Sequence, residues 1–275
     1  MTNLIIIARK EIQEGLRNRW VLAMTLLLAA LALTLSFLGS APTGNVGVGR
    51  LDVVIVSLSS LTIFLIPLIA LLISHDAIVG ESERGTLLLL LSYPVSRPQV
   101  IFGKFLGHIA ILAFATLTGY GVAAAVLVAT GAVIGAESWS SYLVMIGSSV
   151  LLGAVFIAIG YLVSTLVSER GTAAGIAIGI WLALVLIYDM TLLGILVAMQ
   201  GQALPAGLLD LLLVLNPTDV YRLLNLSSGG ASALSGMGGV AANSALDART
   251  LVLALVLWTV GPLVLATLAF SRRER

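Results

Sequence analysis

The sequence predicts an all-α polytopic membrane protein with six transmembrane helices, and three observations carry that reading. Of 275 residues, 59% are hydrophobic and 10% charged, where an ordinary globular domain carries about 25% charged residues. The mean hydropathy is +1.12. Several apolar runs exceed the ~20 residues that an α-helix needs to cross a hydrocarbon core about 30 Å thick. This composition excludes a soluble enzyme. The net charge of +1 says little about partners, and no basic block is present to attract nucleic acid. The chain has no cysteine, which removes disulfides, thiolate metal sites and persulfide relays from its own chemistry.

Each element follows from the order of apolar runs and breaks. Residues 1–20 form an amphipathic stretch: Ile5, Ala8, Ile12, Leu16 and Trp20 recur every three or four residues, with Arg9, Lys10, Gln13, Glu14 and Arg17 on the other face. Such a helix lies flat in the membrane interface, Trp20 at headgroup level. The length of this charge-bearing amphipathic region, residues 1–20, also makes a signal peptide the poorer reading of the run that follows. Apolar runs then place spans at about 21–38, 53–74, 100–131, 142–167, 173–200 and 250–270, within a single domain covering 1–275. An even number of spans puts both termini on one side. With that side inside, eleven of the fourteen Lys and Arg residues are internal, and Arg50, Arg222 and Arg249 are external. The positive-inside bias therefore predicts cytoplasmic termini in a bacterial inner membrane.

The connection 201–249 has two parts. Leu208–Leu215 is apolar but too short to span. Asn216-Pro217-Thr218-Asp219 reads as a helix start, Asn216 as N-cap and Pro217 at the first helical position. The two short helices are expected to be re-entrant or interfacial on the periplasmic side, with Asn216, Asp219, Tyr221 and Arg222 available to an outer partner. Residues 227–244 are Gly/Ser/Ala-rich, suited to a partner-binding loop or to a linker without a role.

The most informative stretch is 75–99, between spans two and three. Acids and a glycine break precede five leucines, Leu87 to Leu91, which are followed by Ser92-Tyr93-Pro94. Leucines facing water are unfavourable at about 25 cal/mol per Å², so they need a partner surface. A helix from Thr86 to Tyr93, capped by Thr86 and closed before Pro94, would present an apolar ridge including Leu87, Leu88 and Leu89. Glu81, Glu83, Arg84 and Arg97 would form a polar rim.

The run from Asp76 to Lys104 resembles the signature of ABC-2-type permeases: an acidic turn, Gly-Thr-Leu, a leucine-rich short helix, Pro, Arg and then Gly-Lys. Glu83, Gly85, Thr86, Leu87, Pro94, Arg97, Gly103 and Lys104 match that pattern. The flat N-terminal helix, the six spans and the long loop before the last span extend the resemblance over the chain. It implies that 75–99 is the coupling element docking on a separate ATP-binding subunit, and that the permease is a homodimer. Within the family, the His75-Asp76 start, the 216–223 stretch and the length resemble the permeases of nitrous oxide reductase maturation. That implies a cytoplasmic ATPase partner, a periplasmic β-helical partner, and a role in supplying sulfur or copper for the enzyme's copper site.

Four further readings bear on mechanism. No G-x-x-x-x-G-K-[ST] loop is present, and Gly103-Lys104-Phe105 lacks its spacing and hydroxyl, so ATP and Mg²⁺ belong to the partner and this chain is not an enzyme and binds no cofactor of its own. The six methionines do not cluster in sequence, and His75 with His108 reads as polar packing rather than a metal pair, so no metal site is expected. Asp189 lies about 24 Å along span five; it belongs either on a transport path or in a hydrogen bond within its own protomer. Gly171, Gly175 and Gly179, four apart, permit a close helix contact, intramolecular or at a dimer seam. Competing classes are an intramembrane enzyme, which two histidines and no G-x-S-x-G motif disfavour, an exporter of another small solute, and a secondary transporter, which would leave the leucine ridge unexplained.

Overall fold

The computed structural model describes residues 2–39, 50–131, 135–198, 206–226 and 246–272, and the regular structure among them is helical. In chain order the helices are α1 (Thr2–Arg17), α2 (Arg19–Gly39), α3 (Arg50–Ser74), α4 (Val79–Glu83), α5 (Thr86–Leu91), α6 (Arg97–Ala129), α7 (Ala136–Leu166), α8 (Arg170–Trp181), α9 (Tyr188–Ala198), α10 (Ala206–Val214), α11 (Pro217–Leu226) and α12 (Ala248–Arg272). A π-helical turn, Leu182–Ile187, joins α8 to α9. Five stretches are long and apolar enough to cross a membrane: Val53–Glu83, Arg97–Ala129, Ala136–Leu166, Arg170–Ala198 and Ala248–Arg272. The bent pair α1–α2 passes the same test only when its two halves are taken together, which brings the number to at most six. The expected Gly/Ser/Ala loop at 227–244 lies outside the described residues.

The amphipathic first stretch turns away from the second apolar run, and the two axes meet at 67°. Ile7 on α1 is buried, while Ile5 and Ile6 are exposed to the surroundings. α1 and α2 both pack along α6. Glycines on α6 set that approach: a Cβ at Gly103 would lie 2.9 Å from Ile7, one at Gly107 2.5 Å from Glu11 Cβ, and one at Gly119 3.3 Å from the Ala29 backbone nitrogen.

α7 is the centre of the bundle, with 72% of its membrane stretch buried, and α3 and α12 pack against it most extensively. Its small residues allow this: a Cβ at Gly153 would overlap Leu112, and one at Gly160 would overlap Ser74. Span five, α8 to α9, is the opposite case, with 11% buried. α11 is wedged among α3, α7 and α12. Buried polar contacts hold it there: Tyr221 and Ser149 hydroxyls lie 3.0 Å apart, and Asn225 Nδ2 donates to Ser148 Oγ at 2.9 Å.

Candidate functional site

The 75–99 segment is bonded to nearly every helix at its end of the bundle. The backbone N–H groups of Ile78 and Val79 both donate to Ser164 Oγ on α7 at 3.0 Å. Arg170, the first residue of α8, donates its backbone N–H to Glu83 at 2.8 Å and its guanidinium to Asp76 at 2.7 Å. Asn3 of α1 donates to the Pro94 carbonyl at 3.1 Å. Arg97 donates to the terminal carbonyls of α12, Phe270 at 2.7 Å and Ser271 at 3.0 Å, and its guanidinium stands 5.6 Å from the Phe270 ring centre. Those carbonyls are among the four that any helix C-terminus leaves without an internal partner.

Within this frame α5 projects. Leu88 is 71% and Leu89 67% exposed, and Tyr93 and Pro94 are exposed beside them. Leu87 turns inward, with Leu90 and Leu91 partly buried against the core. Two expectations are corrected. Gly85, at φ +70, is the N-cap in place of Thr86, because the left-handed turn between α4 and α5 requires a residue without a Cβ. The Thr86 hydroxyl instead donates back to the Glu81 carbonyl at 3.2 Å. Glu81 is no rim residue either: its side chain is buried, whereas Glu83 and Arg84 are exposed.

The reason for Glu81's burial lies on α6. Lys104 Nζ sits 2.8 Å from Glu81 and 2.7 Å from Glu11, with all three side chains at or below 10% exposure. His108, one turn further, places Nε2 3.6 Å from the second Glu11 oxygen, and its Nδ1 meets the Tyr161 hydroxyl at 2.8 Å. One ammonium thus joins α1, the α4 turn and α6. Burial alone would raise the Glu11 carboxyl, but Lys104 and His108 beside it hold it below the ordinary carboxylate range. Resemblance singled out Lys104; Glu11 was missed. The available signal is its register: Glu11 lies four residues after Ile7, on the apolar side of an otherwise divided helix.

At the far end a second triad forms. Arg222 on α11 pairs with Asp189 on α9 and, at 2.5 Å, with Asp219. Asp189 is thus ion-paired within its own protomer, and with Arg222 it lines a small pocket beside Leu192, Leu193 and Leu196. Asn216 accepts the Thr218 N–H at 3.2 Å, as expected of an N-cap, and donates its amide to the Leu184 carbonyl at 2.9 Å. Leu184 lies in the π-helical turn, where widened spacing leaves carbonyls needing outside donors. The expectation that Asn216, Asp219, Tyr221 and Arg222 face an outer partner is corrected: the first three are fully buried and Arg222 mostly so, because Asn216, Asp219 and Arg222 fasten α11 to span five and Tyr221 fastens it to α7. Burial pushes the Asp219 carboxyl up to about 7 against the opposing pull of Arg222.

The remaining site residues separate. Among the described residues nothing lies within 4 Å of a Cβ built at Gly171, Gly175 or Gly179, so this stripe makes no close contact with them. His75 Nδ1 is 3.2 Å from the Leu71 carbonyl. Among the described residues no three His, Asp or Glu side chains are grouped as a metal site.

Residues 5–275 match the family described as ABC-2 family transporter protein. The chain is 50% identical over 268 residues to a protein of Pseudomonas aeruginosa named probable ABC transporter permease protein NosY, covering 97% of both chains. It is 48% identical over 270 residues to a Stutzerimonas stutzeri protein of the same name, again covering 97% of both.

Proposed function

This chain belongs to the ABC-2 family of ABC transporter permeases, and on that premise we propose that the 75–99 segment is its coupling element, gripped by a cytoplasmic ATPase subunit of the NosF kind. The observation that carries the reading is the exposed pair Leu88 and Leu89 on a helix whose base is fixed. Apolar side chains of that size, exposed on the same segment as Tyr93, Glu83 and Arg84, fit the hydrophobic centre and polar rim of a protein interface. Force applied to α5 passes through Ser164 to α7, through Arg170 to span five, through Arg97 to α12 and through Lys104 to α1 and α6. ATP and Mg²⁺ are held by the partner. The distribution of Lys and Arg supports placing this end, with both termini, at the cytoplasmic face of the inner membrane.

Two permease copies form the transporter, and a periplasmic β-helical protein of the NosD kind meets its outer face. The resemblance of its sequence to the permeases of nitrous oxide reductase maturation points to a role in assembling that enzyme's copper site. Cu(I) favours thiolate and clustered thioether ligands, and a chain without cysteine suits a sulfur species, or a mechanical signal, better than the bare metal. Transport of another small solute by the same machinery is the second reading.

Co-expression with the ATPase tests the assignment. Leu88→Asp with Leu89→Asp should abolish co-purification while the permease still inserts and migrates as the wild type does. A complex that survives both changes would refute the coupling role.

A further inference from the structure

A cavity of about 500 Å³ opens at the 67° bend between α1 and α2, bounded by the end of α3, by α6 and by the first residue of α8. We propose that it holds the headgroup of an aminophospholipid, phosphatidylethanolamine. The inference uses the membrane setting of these helices and is independent of the coupling role of 75–99.

The cavity has a lining of two kinds. Met24, Leu72 and Ile111 supply an apolar part, and Glu11, Glu14, His75, Asp76 and Arg170 supply a polar part. A cavity built for a small polar solute has no use for the first part, and one built for an acyl chain has no use for the second. The bend lies where an interfacial helix turns into the bilayer, the depth at which a phospholipid changes from headgroup to chain. Charge selects among headgroups. The Glu11 carboxylate is met by Lys104, leaving Glu14 and Asp76 against Arg170. Asp76 already bonds Arg170 at 2.7 Å, while Glu14 has Lys10 at 3.4 Å on the exposed side, a pair that water screens. Lys104 also serves Glu81, so the lining as a whole carries an excess of negative charge, and Glu14, paired only on its exposed side, is the carboxylate open to a ligand. An ammonium donates hydrogen bonds to that carboxylate while its phosphate accepts from the remaining edge of the Arg170 guanidinium. Trimethylated choline has no N–H to donate. A glycerol headgroup brings an uncompensated negative charge to an acidic lining.

The test is native mass spectrometry on the full-length permease, purified free of lipid in detergent and offered phosphatidylethanolamine, phosphatidylcholine or phosphatidylglycerol of identical acyl chains. Phosphatidylethanolamine should be retained about tenfold more than either, the ratio that one charge-assisted hydrogen bond sustains. Glu14→Gln should remove the preference, and Met24→Trp, which fills the apolar half, should remove retention altogether. Should Met24→Trp not fold, Glu14→Gln at a mostly exposed position still decides. Equal retention of the three lipids, or a preference unchanged in Glu14→Gln, would overturn the site. Competition by soluble glycerophosphoethanolamine at concentrations equal to the lipid would overturn its assignment to a lipid rather than a free phosphate ester.

Discussion

The two ends of the molecule solve one problem with different cations. At the α5 end, Lys104 holds Glu11 and Glu81; at the far end, Arg222 holds Asp189 and Asp219. Each site sets two carboxylates around a single positive charge. Lys104 is a point charge at the centre of packed helices, 4% exposed, and its partners come from segments on either side of it. One Glu81 oxygen is buried there without a hydrogen-bond partner. Arg222 is a flat fork that serves both acids through separate nitrogens, and its surroundings are more open, with Asp189 at 18% side-chain exposure. The compact site is thereby the brittle one: an ammonium cannot be replaced by a reoriented neighbour. The forked site has a carboxyl whose proton affinity burial has already raised, so it can neutralise one acid by protonation when its cation is lost.

Removing each cation should separate the two most sharply. Lys104→Met leaves Glu11 and Glu81 buried and uncompensated, with an expected loss of about 3–5 kcal/mol, read as a collapse of folded yield and of the thermal midpoint in detergent. The triple variant Glu11→Gln, Lys104→Met, Glu81→Gln should recover most of it, since an apolar or neutral set of similar volume avoids the desolvation cost. Arg222→Met should cost less, about 2–3 kcal/mol, the value of hydrogen bonds to a charged group; a loss equal to that of Lys104→Met would erase the distinction drawn here.

Packing gives a second contrast of intermediate size. A methyl at Gly107 meets Glu11 Cβ at 2.5 Å and the Ala8 carbonyl at 3.2 Å, so Gly107→Ala should destabilise by about 1–3 kcal/mol through the displaced α1. Gly175→Ala, in open space on span five, should leave the stability of a single protomer within about 0.5 kcal/mol. Measured unfolding in detergent at low protein concentration compares them.

The dependence of stability on pH has opposite signs at the two ends. Glu11 is held below its unfolded value near 4.3, so its stabilisation is present above that pH and lost as pH falls through the folded value. Asp219 is raised to about 7, so between about pH 4 and 7 the folded state binds the extra proton and stability declines as pH rises through that window. Glu11→Gln should flatten the acid limb of a thermal midpoint profile, and Asp219→Asn the neutral limb. A profile unmoved by either change would remove titration from the account of both sites.

Legibility followed the range of the interaction. α5 could be placed from five consecutive leucines, and the start of α11 from Asn216-Pro217, since a cap and a short helix depend on residues within one turn. The cap at Gly85 was misplaced by one residue: Thr86 has the usual capping side chain, but the turn back from α4 demands a positive φ that local composition does not reveal. The 216–222 stretch reads as outward-facing because polar residues in a loop ordinarily meet water; here Asn216 meets the π-helical turn of span five, Arg222 meets Asp189 and Asp219, and Tyr221 meets Ser149 on α7.

The sequence by itself determined the membrane setting, the apolar stretches and the leucine helix between the second and third, because hydrophobic length and period are properties of each segment taken alone. Only the tertiary structure decided which charges meet. Glu11 and Lys104 stand 93 residues apart, and Arg222 stands 33 from Asp189. A carboxylate in an apolar setting must find a cation, but which one is fixed by the packing of glycine-faced helices around α6 and α7, and that packing is written in no single window of the chain.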